Sequence, residues 1–198
     1  MLAILILVML VISMGYFIMR GPDLDKYECL KHPQITTMPN HKMLVVEAAG
    51  DPNFAGAKAF ATLYKTYFML KNNHHKTIFQ IAPRARWPKD LNTPKKNWLG
   101  RYALPVSDTA QLPDNYKSSD PNQKVELQNW EYGEVAEILH VGPYSAEIPT
   151  TEKLQKFIKE RGYRVVGEHE EEYLKGPGIF GPGDPAKYYT IIRYRIAK

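Results

Sequence analysis

Residues 128–174 read QNWEYGEVAEILHVGPYSAEIPTTEKLQKFIKERGYRVVGEHEEEYL, and this stretch decides the fold. Gln128 to Val141 predicts a strand, and Gly142-Pro143 a turn. Glu152 to Glu160 carries Leu154, Phe157 and Ile158 at helical spacing. Tyr163 to Leu174 is a second strand. Tyr188 to Ile196 is a third, reached through a loop holding Gly176, Pro177, Gly178, Gly181, Pro182, Gly183 and Pro185. The order is strand, helix, strand, strand.

Working outward, the same order stands in the N-terminal half. Lys42 to Ala49 is an apolar, β-branched run ending in the turn residues Gly50, Asp51 and Pro52. Phe54 to Lys71 follows as a helix, with Phe54, Ala57, Ala61, Tyr64 and Phe68 on one stripe and Asn72-Asn73 at its end. Strands are expected at Thr77 to Ala82 and Trp98 to Val106, separated by a Pro- and Lys-rich turn. Residues 107–124, with Pro113, Pro121, three Ser and three Asp, read as a linker that buries little surface. The predicted class is therefore α+β, a tandem strand-helix-strand-strand arrangement. Repeat one covers 34–106 and repeat two 125–198. A central groove along the pseudo-twofold axis between them is the kind of concavity that small molecules use.

Before the domain, residues 1–19 contain no charged side chain. At 1.5 Å per residue they make a helix of roughly 28 Å, enough to span a bilayer core of about 30 Å. A cleaved signal peptide would begin with Lys or Arg and end in small residues, and neither is present. Cys29 follows Lys26, Tyr27 and Glu28, which does not suit lipidation. Residues 20–33 read as a tether. Arg20, Lys26 and Lys31 all follow the apolar run, so the positive-inside rule predicts a single-pass anchor with its N-terminus outside and the domain in the cytoplasm.

The charge, 26 basic against 21 acidic residues, describes a solvated surface. The cluster Arg84, Arg86, Lys89, Lys95, Lys96 and Arg101 could meet anionic headgroups beside a bilayer. No recognition motif accompanies it, so nucleic acid is not an expected partner. The single cysteine forms no internal disulfide. His74 and His75 are adjacent and lack further donors at ligand spacing, so no metal is expected. No phosphate loop, nucleophile elbow or catalytic cysteine is visible, and no cofactor is expected.

Alternation along Tyr163 to Leu174 puts His169, Glu171 and Tyr173 on one face and Glu168, Glu170 and Glu172 on the other. The latter three stand where solvent should be, whereas Glu171 shares its face with aromatic and apolar neighbours. An acid so placed can pair with a cationic ligand or serve as a general acid or base. Its bland alternative is a structural hydrogen bond. Trp87, Trp98, Trp130 and thirteen tyrosines supply aromatic walls suited to flat or cationic ligands, although core packing is the ordinary role of any single ring.

Two stretches carry a family resemblance. One is Glu137-Ile138-Leu139-His140-Val141-Gly142-Pro143-Tyr144, then Glu171-Glu172-Tyr173-Leu174, then Thr190-Ile191-Ile192-Arg193-Tyr194. The other is Glu47-Ala48-Ala49-Gly50-Asp51-Pro52-Asn53 followed by Leu63-Tyr64 and Leu70-Lys71. Over residues 40–198 the chain resembles the GyrI-like small-molecule-binding domains, the effector domains of multidrug-sensing regulators. The resemblance implies a central aromatic pocket with a glutamate, lined here by Glu171, Tyr173, Trp87, Trp98, Tyr64, Phe68 and His140, that takes a small hydrophobic or cationic ligand. Some stand-alone members hydrolyse strained cyclopropane compounds. That role would make Glu171 the base, with Tyr144 or Tyr173 orienting water, but Ala85 stands in the place of those members' glutamate. Ile191 likewise replaces an acid common in the sensor members. No helix-turn-helix precedes the domain. Some eukaryotic relatives carry a similar anchor and act as membrane receptors. A protein-binding role through the exposed acidic strand face or the linker is the third reading, with no partner named.

Overall fold

The computed structural model describes residues 23–74, 80–87, 94–177 and 183–198. The expected anchor over 1–19 lies outside the described residues. Among the described residues no helix is long and apolar enough to cross a membrane. The elements are β1 Gln34–Met38, β2 His41–Ala49, α1 Pro52–Tyr67, β3 Arg84–Trp87, β4 Leu99–Pro105, β5 Val125–Trp130, β6 Gly133–Val141, α2 Ile148–Glu160, β7 Arg164–Val165, β8 His169–Lys175 and β9 Tyr189–Ala197.

The strands form a curled antiparallel sheet in the order β1-β6-β9-β8-β3-β4-β2-β5, with β7 pairing β9. Each repeat contributes three adjacent strands, β6-β9-β8 and β3-β4-β2, which meet at the β3–β8 pair, where Ala85 stands opposite Glu171. The outermost strands are exchanged. β1 leaves the first repeat to pair with β6, and β5 leaves the second to pair with β2.

Both helices pack on one face. Ala59, Leu63 and Tyr67 of α1 bury against Leu44, Val46, Tyr102 and Leu104, and Leu154 and Ile158 of α2 against Ala136, Ile138, Ile192 and Tyr194. The Asp51 side chain accepts the Asn53 N–H at 2.9 Å and Pro52 occupies the first turn, so α1 starts on a formed cap. The turns into the helices also match. Gly50 (φ 118°) donates its N–H to the Trp98 carbonyl, and Gly142 (φ 141°) donates to that of Tyr188. Both glycines occupy backbone conformations that a side chain strains.

Several expectations are corrected. Residues 80–82, the described part of the strand expected at Thr77 to Ala82, are not strand, and the strand is Arg84–Trp87. Its alternating arginines resemble a solvated turn because their acidic partners lie on another strand. Gln128 to Val141 is two strands, broken at Glu131-Tyr132. Tyr163 to Leu174 breaks near Gly167, where a Cβ would come within 2.7 Å of the Arg195 Cβ. The helices span Pro52–Tyr67 and Ile148–Glu160, each starting before the expected stretch; α1 also ends before Lys71, whereas α2 ends at Glu160 as expected. Within the expected tether, Asp25–Lys31 forms a 3₁₀ helix whose Leu30 buries against Leu139, Leu174 and Ile191. The expected linker is a packed strap. Ala110 is fully buried, and the Tyr116 hydroxyl meets Thr66 Oγ1 at 2.6 Å.

The largest correction concerns Glu170 and Glu172, expected in solvent and found 2 % and 8 % exposed. On the face away from the helices, Glu170 accepts from Arg86 Nε at 2.7 Å, from Arg193 at 2.8 Å and from the Tyr132 hydroxyl at 3.0 Å. Glu172 pairs with Arg84 at 3.2 Å and Arg193 at 3.1 Å, and Arg193 also reaches Glu137 at 2.9 Å. Three arginines thus face three glutamates. Burial opposes ionisation of Glu170, but Arg193, Arg84 and Arg86 outweigh it and hold its carboxyl below the usual range. The proposed acidic docking face is therefore an internal ion network. Removing one partner leaves the others buried without their counter-charge. Arg193→Ala is expected to cost about 3–5 kcal/mol in urea unfolding, whereas exchanging a whole cluster for apolar residues costs far less.

Candidate functional site

Residues of one sheet face repeat every second position, so the β3–β8 seam presents Ala85, Trp87, His169, Glu171 and Tyr173 toward the helices. Tyr102 joins them across from Ala85. Glu171 is 7 % exposed and is held by three side chains. Trp87 Nε1–H donates to Oε1 at 2.7 Å, His169 Nε2 lies 3.1 Å from the same oxygen, and the Tyr173 hydroxyl donates to Oε2 at 2.7 Å. His169 Nδ1 meets the Tyr194 hydroxyl at 2.8 Å, which fixes the ring against Glu171. Burial pushes the Glu171 carboxyl up, but the His169 ring, by hydrogen bond and by charge, and then the hydrogen bonds from Tyr173 and Trp87 outweigh it and hold the carboxyl below its ordinary value.

Rings surround the acid. Trp87 packs on Trp98 at 5.1 Å and edge-on to Tyr102 at 5.6 Å. Phe60 of α1 meets Tyr102 and Tyr173, while Tyr144 meets Tyr173 and Tyr188. Tyr144 is 36 % exposed and forms the outer rim, its hydroxyl lying where a Gly176 side chain would begin. Gly100 has no Cβ because one would sit 2.6 Å from Trp87 and 2.9 Å from Tyr102.

Of the residues expected from the sequence, Glu171, Tyr173, Trp87, Trp98 and Tyr144 come together. Tyr64 packs at the edge of the same apolar cluster. His140 shares the face, but its ring is held in the turn by Thr150 at 3.0 Å and the Pro143 carbonyl at 3.2 Å. Phe68 does not join the group: it caps the end of α1, half exposed, against Tyr67. Tyr102, Phe60, Tyr188 and Glu147 were not foreseen. Tyr102 could have been found by extending the alternation from Leu104. Glu147 carried no periodic signal.

Glu147 stands at the N-cap of α2 without capping it; its carboxyl is buried and Oε1 has no partner. Glu147, His169 and Glu171 each offer a donor atom within 4.8 Å of the others. Those residue types suit a divalent ion, but His169 Nε2 and Glu171 Oε1 already engage each other. Burial, then the Glu171 charge, raises the Glu147 carboxyl to about 9. A cavity of about 440 Å³ opens on the opposite face, lined by Arg86, Arg101, Tyr132, Glu168, Arg193 and Arg195, and belongs to the ion network.

No protein-family model matches the chain, and no curated protein matches it. Solved structures do. A hydrolase from Listeria innocua matches at 22% identity and TM-score 0.64, covering 84% of this chain and 92% of that one. The C-terminal domain of EcmrR matches at 15% identity and TM-score 0.60, covering 84% and 98%. EcmrR in its DNA complex matches at 15% identity and TM-score 0.65, covering 96% of this chain and 65% of that one. At these identities the likeness shows the fold. The α+β architecture agrees with the GyrI-like fold that the sequence resemblance implies.

Two outcomes are expected. Gly100→Ala displaces Trp87 and Tyr102, costing about 1–3 kcal/mol and shifting tryptophan emission. For Glu147 the folded state keeps a proton that the unfolded chain has lost above its ordinary value of 4.5, so stability falls as pH rises toward about 9. Melting curves of Glu147→Gln between about pH 5 and about pH 8 should show a shallower decline than the wild type.

Proposed function

We propose that the chain is a membrane-tethered GyrI-like domain that binds a hydrophobic or amphipathic small molecule between α1 and α2. The observation that carries this reading is one carboxylate, Glu171, buried among aromatic rings and held by Trp87, Tyr173 and the His169 ring at 3.1 Å. Ionised acids are rarely kept in apolar surroundings unless a charge or set of donors compensates them. Here the compensation comes from Trp87, Tyr173 and the His169 ring, and the surrounding aromatic side chains supply apolar contact and negative faces. The apolar run 1–19 supports the tether, which would hold the site close to a bilayer where amphipathic compounds concentrate. Hydrolysis is less well supported, because Ala85, directly across from Glu171, stands in the place of the glutamate that the hydrolytic members carry.

Full-length protein in detergent, screened by thermal shift against amphipathic compounds, should gain about 2.7 kcal/mol at a hundred times Kd. For a chain of this size that is about 5–10 °C in Tm. Glu171→Gln should lose most of the shift. A diverse library that moves neither protein refutes the reading. Sedimentation of the full chain with membranes, lost on deleting 1–19, tests the tether separately.

A further inference from the structure

The strand ladders give the sheet two distinct ends. Trp87, His169, Leu99 and Ala49 lie at one, and Val141, Tyr189, Lys175 and Pro105 at the other. α1 follows Ala49 and runs to the Val141 end, where the Ser107 N–H, just past Pro105, donates to Asn73. α2 starts at the Val141 end and runs back. Large apolar side chains left in water therefore collect at that end from both repeats. Met69, just past α1, is 52 % exposed and Phe68 nearly as much, while Ile148, the first residue of α2, is 67 % exposed, with Val141 and Tyr144 beside it. Neighbouring exposed apolar groups mark a surface that meets something other than water.

The N-terminal segment enters at the same end. Leu24 and Leu30, at the two ends of the 3₁₀ helix, pack with Leu139, Leu174 and Ile191, and Lys153 of α2 donates to the Lys31 carbonyl at 3.4 Å. Met19, the last residue of the apolar run, stands five residues before Leu24, a reach of at most roughly 18 Å. A nine-residue strand such as β6 is about 30 Å long. An anchor in a bilayer thus holds the Val141 end, and not the Trp87 end, beside the headgroups. Charge contributes little there, because Lys31, Lys71 and Lys187 are matched by Glu28, Asp114 and Asp184. The basic cluster that the sequence offered to headgroups is engaged elsewhere: Arg84 and Arg86 lie in the ion network and Arg101 pairs with Glu168.

We infer that the Val141 end of the domain is a membrane-contact surface, with Met69, Phe68 and Ile148 entering the boundary between headgroups and acyl chains. The contact is apolar, as for an interfacial helix that lays its apolar face into the bilayer surface. The inference rests on the tether proposed above and gives the domain an orientation, whatever the aromatic site binds. Tyr144, the rim of that site, belongs to this surface, so an amphipathic compound dissolved in the bilayer meets the rim without first crossing water.

The test uses full-length protein in vesicles containing doxyl-labelled lipid, with Cys29→Ser as background and a bimane label on one introduced cysteine at a time. Labels at Met69→Cys and Ile148→Cys should lose most of their emission to the lipid quencher. A label at Phe54→Cys, equally apolar and exposed but at the Trp87 end, should lose little. All three native side chains are exposed, so labelling leaves the core intact. The quenching should persist in about 1 M salt, where the screening length is about 3 Å. Protein that pellets with the vesicles while its Met69 and Ile148 labels are quenched no more than the Phe54 label overturns the inference and leaves the tether standing. Quenching that disappears in salt overturns the apolar contact. Protein that does not pellet with the vesicles refutes the tether, and the inference with it.

Discussion

Three consecutive glutamates are buried in the strand at the middle of the sheet, and the rest of the molecule is arranged around making that possible. Glu170 and Glu172 point to one face, where Arg84, Arg86 and Arg193 neutralise them. Glu171 points to the other and receives only N–H and O–H donors from Trp87, His169 and Tyr173. One short strand, Arg84–Trp87, serves both needs by alternation, sending guanidinium groups one way and an indole the other. Burying a charge is tolerated only with full compensation, so the spacing of this four-residue strand is constrained on every side chain.

That constraint also explains where the site sits. The β3–β8 pair joins the two repeats, so Glu171 lies on the line of internal symmetry with a helix on either side. The symmetry is broken there chemically. Ala85, opposite Glu171, leaves one acid on the helix side of the seam, and the other carboxyl near it, Glu147, comes from the start of α2. The aromatic side chains come from both repeats, with Phe60, Trp87, Trp98 and Tyr102 from the first and Tyr144, Tyr173 and Tyr188 from the second.

Much of this was legible in the chain. The tandem order of elements follows from apolar spacing and from the Gly50 and Gly142 turns, and the direction of Glu171 follows from period-two alternation. What stayed hidden depends on partners far along the sequence. Arg84-Ala85-Arg86-Trp87 reads as polar turn until Glu170 and Glu172 are known to lie across from it. Glu170 and Glu172 read as solvated for the same reason. The exchanged strands Gln34–Met38 and Val125–Trp130 pair with the opposite repeat, so no local pattern announces them. Glu147 was missed because an acid before a helix is an ordinary cap, and only coordinates reveal that it does not cap.

The exchange of outer strands has a mechanical consequence. Each repeat is stitched along its far edge by a segment of the other, and the central seam is itself a ladder of backbone hydrogen bonds. The two halves cannot swing apart like jaws without tearing three strand pairings at once. A ligand bound as proposed would have to reach Glu171 by the turning of single rings at the rim, such as Tyr144 beside Gly176, rather than by a parting of the two halves.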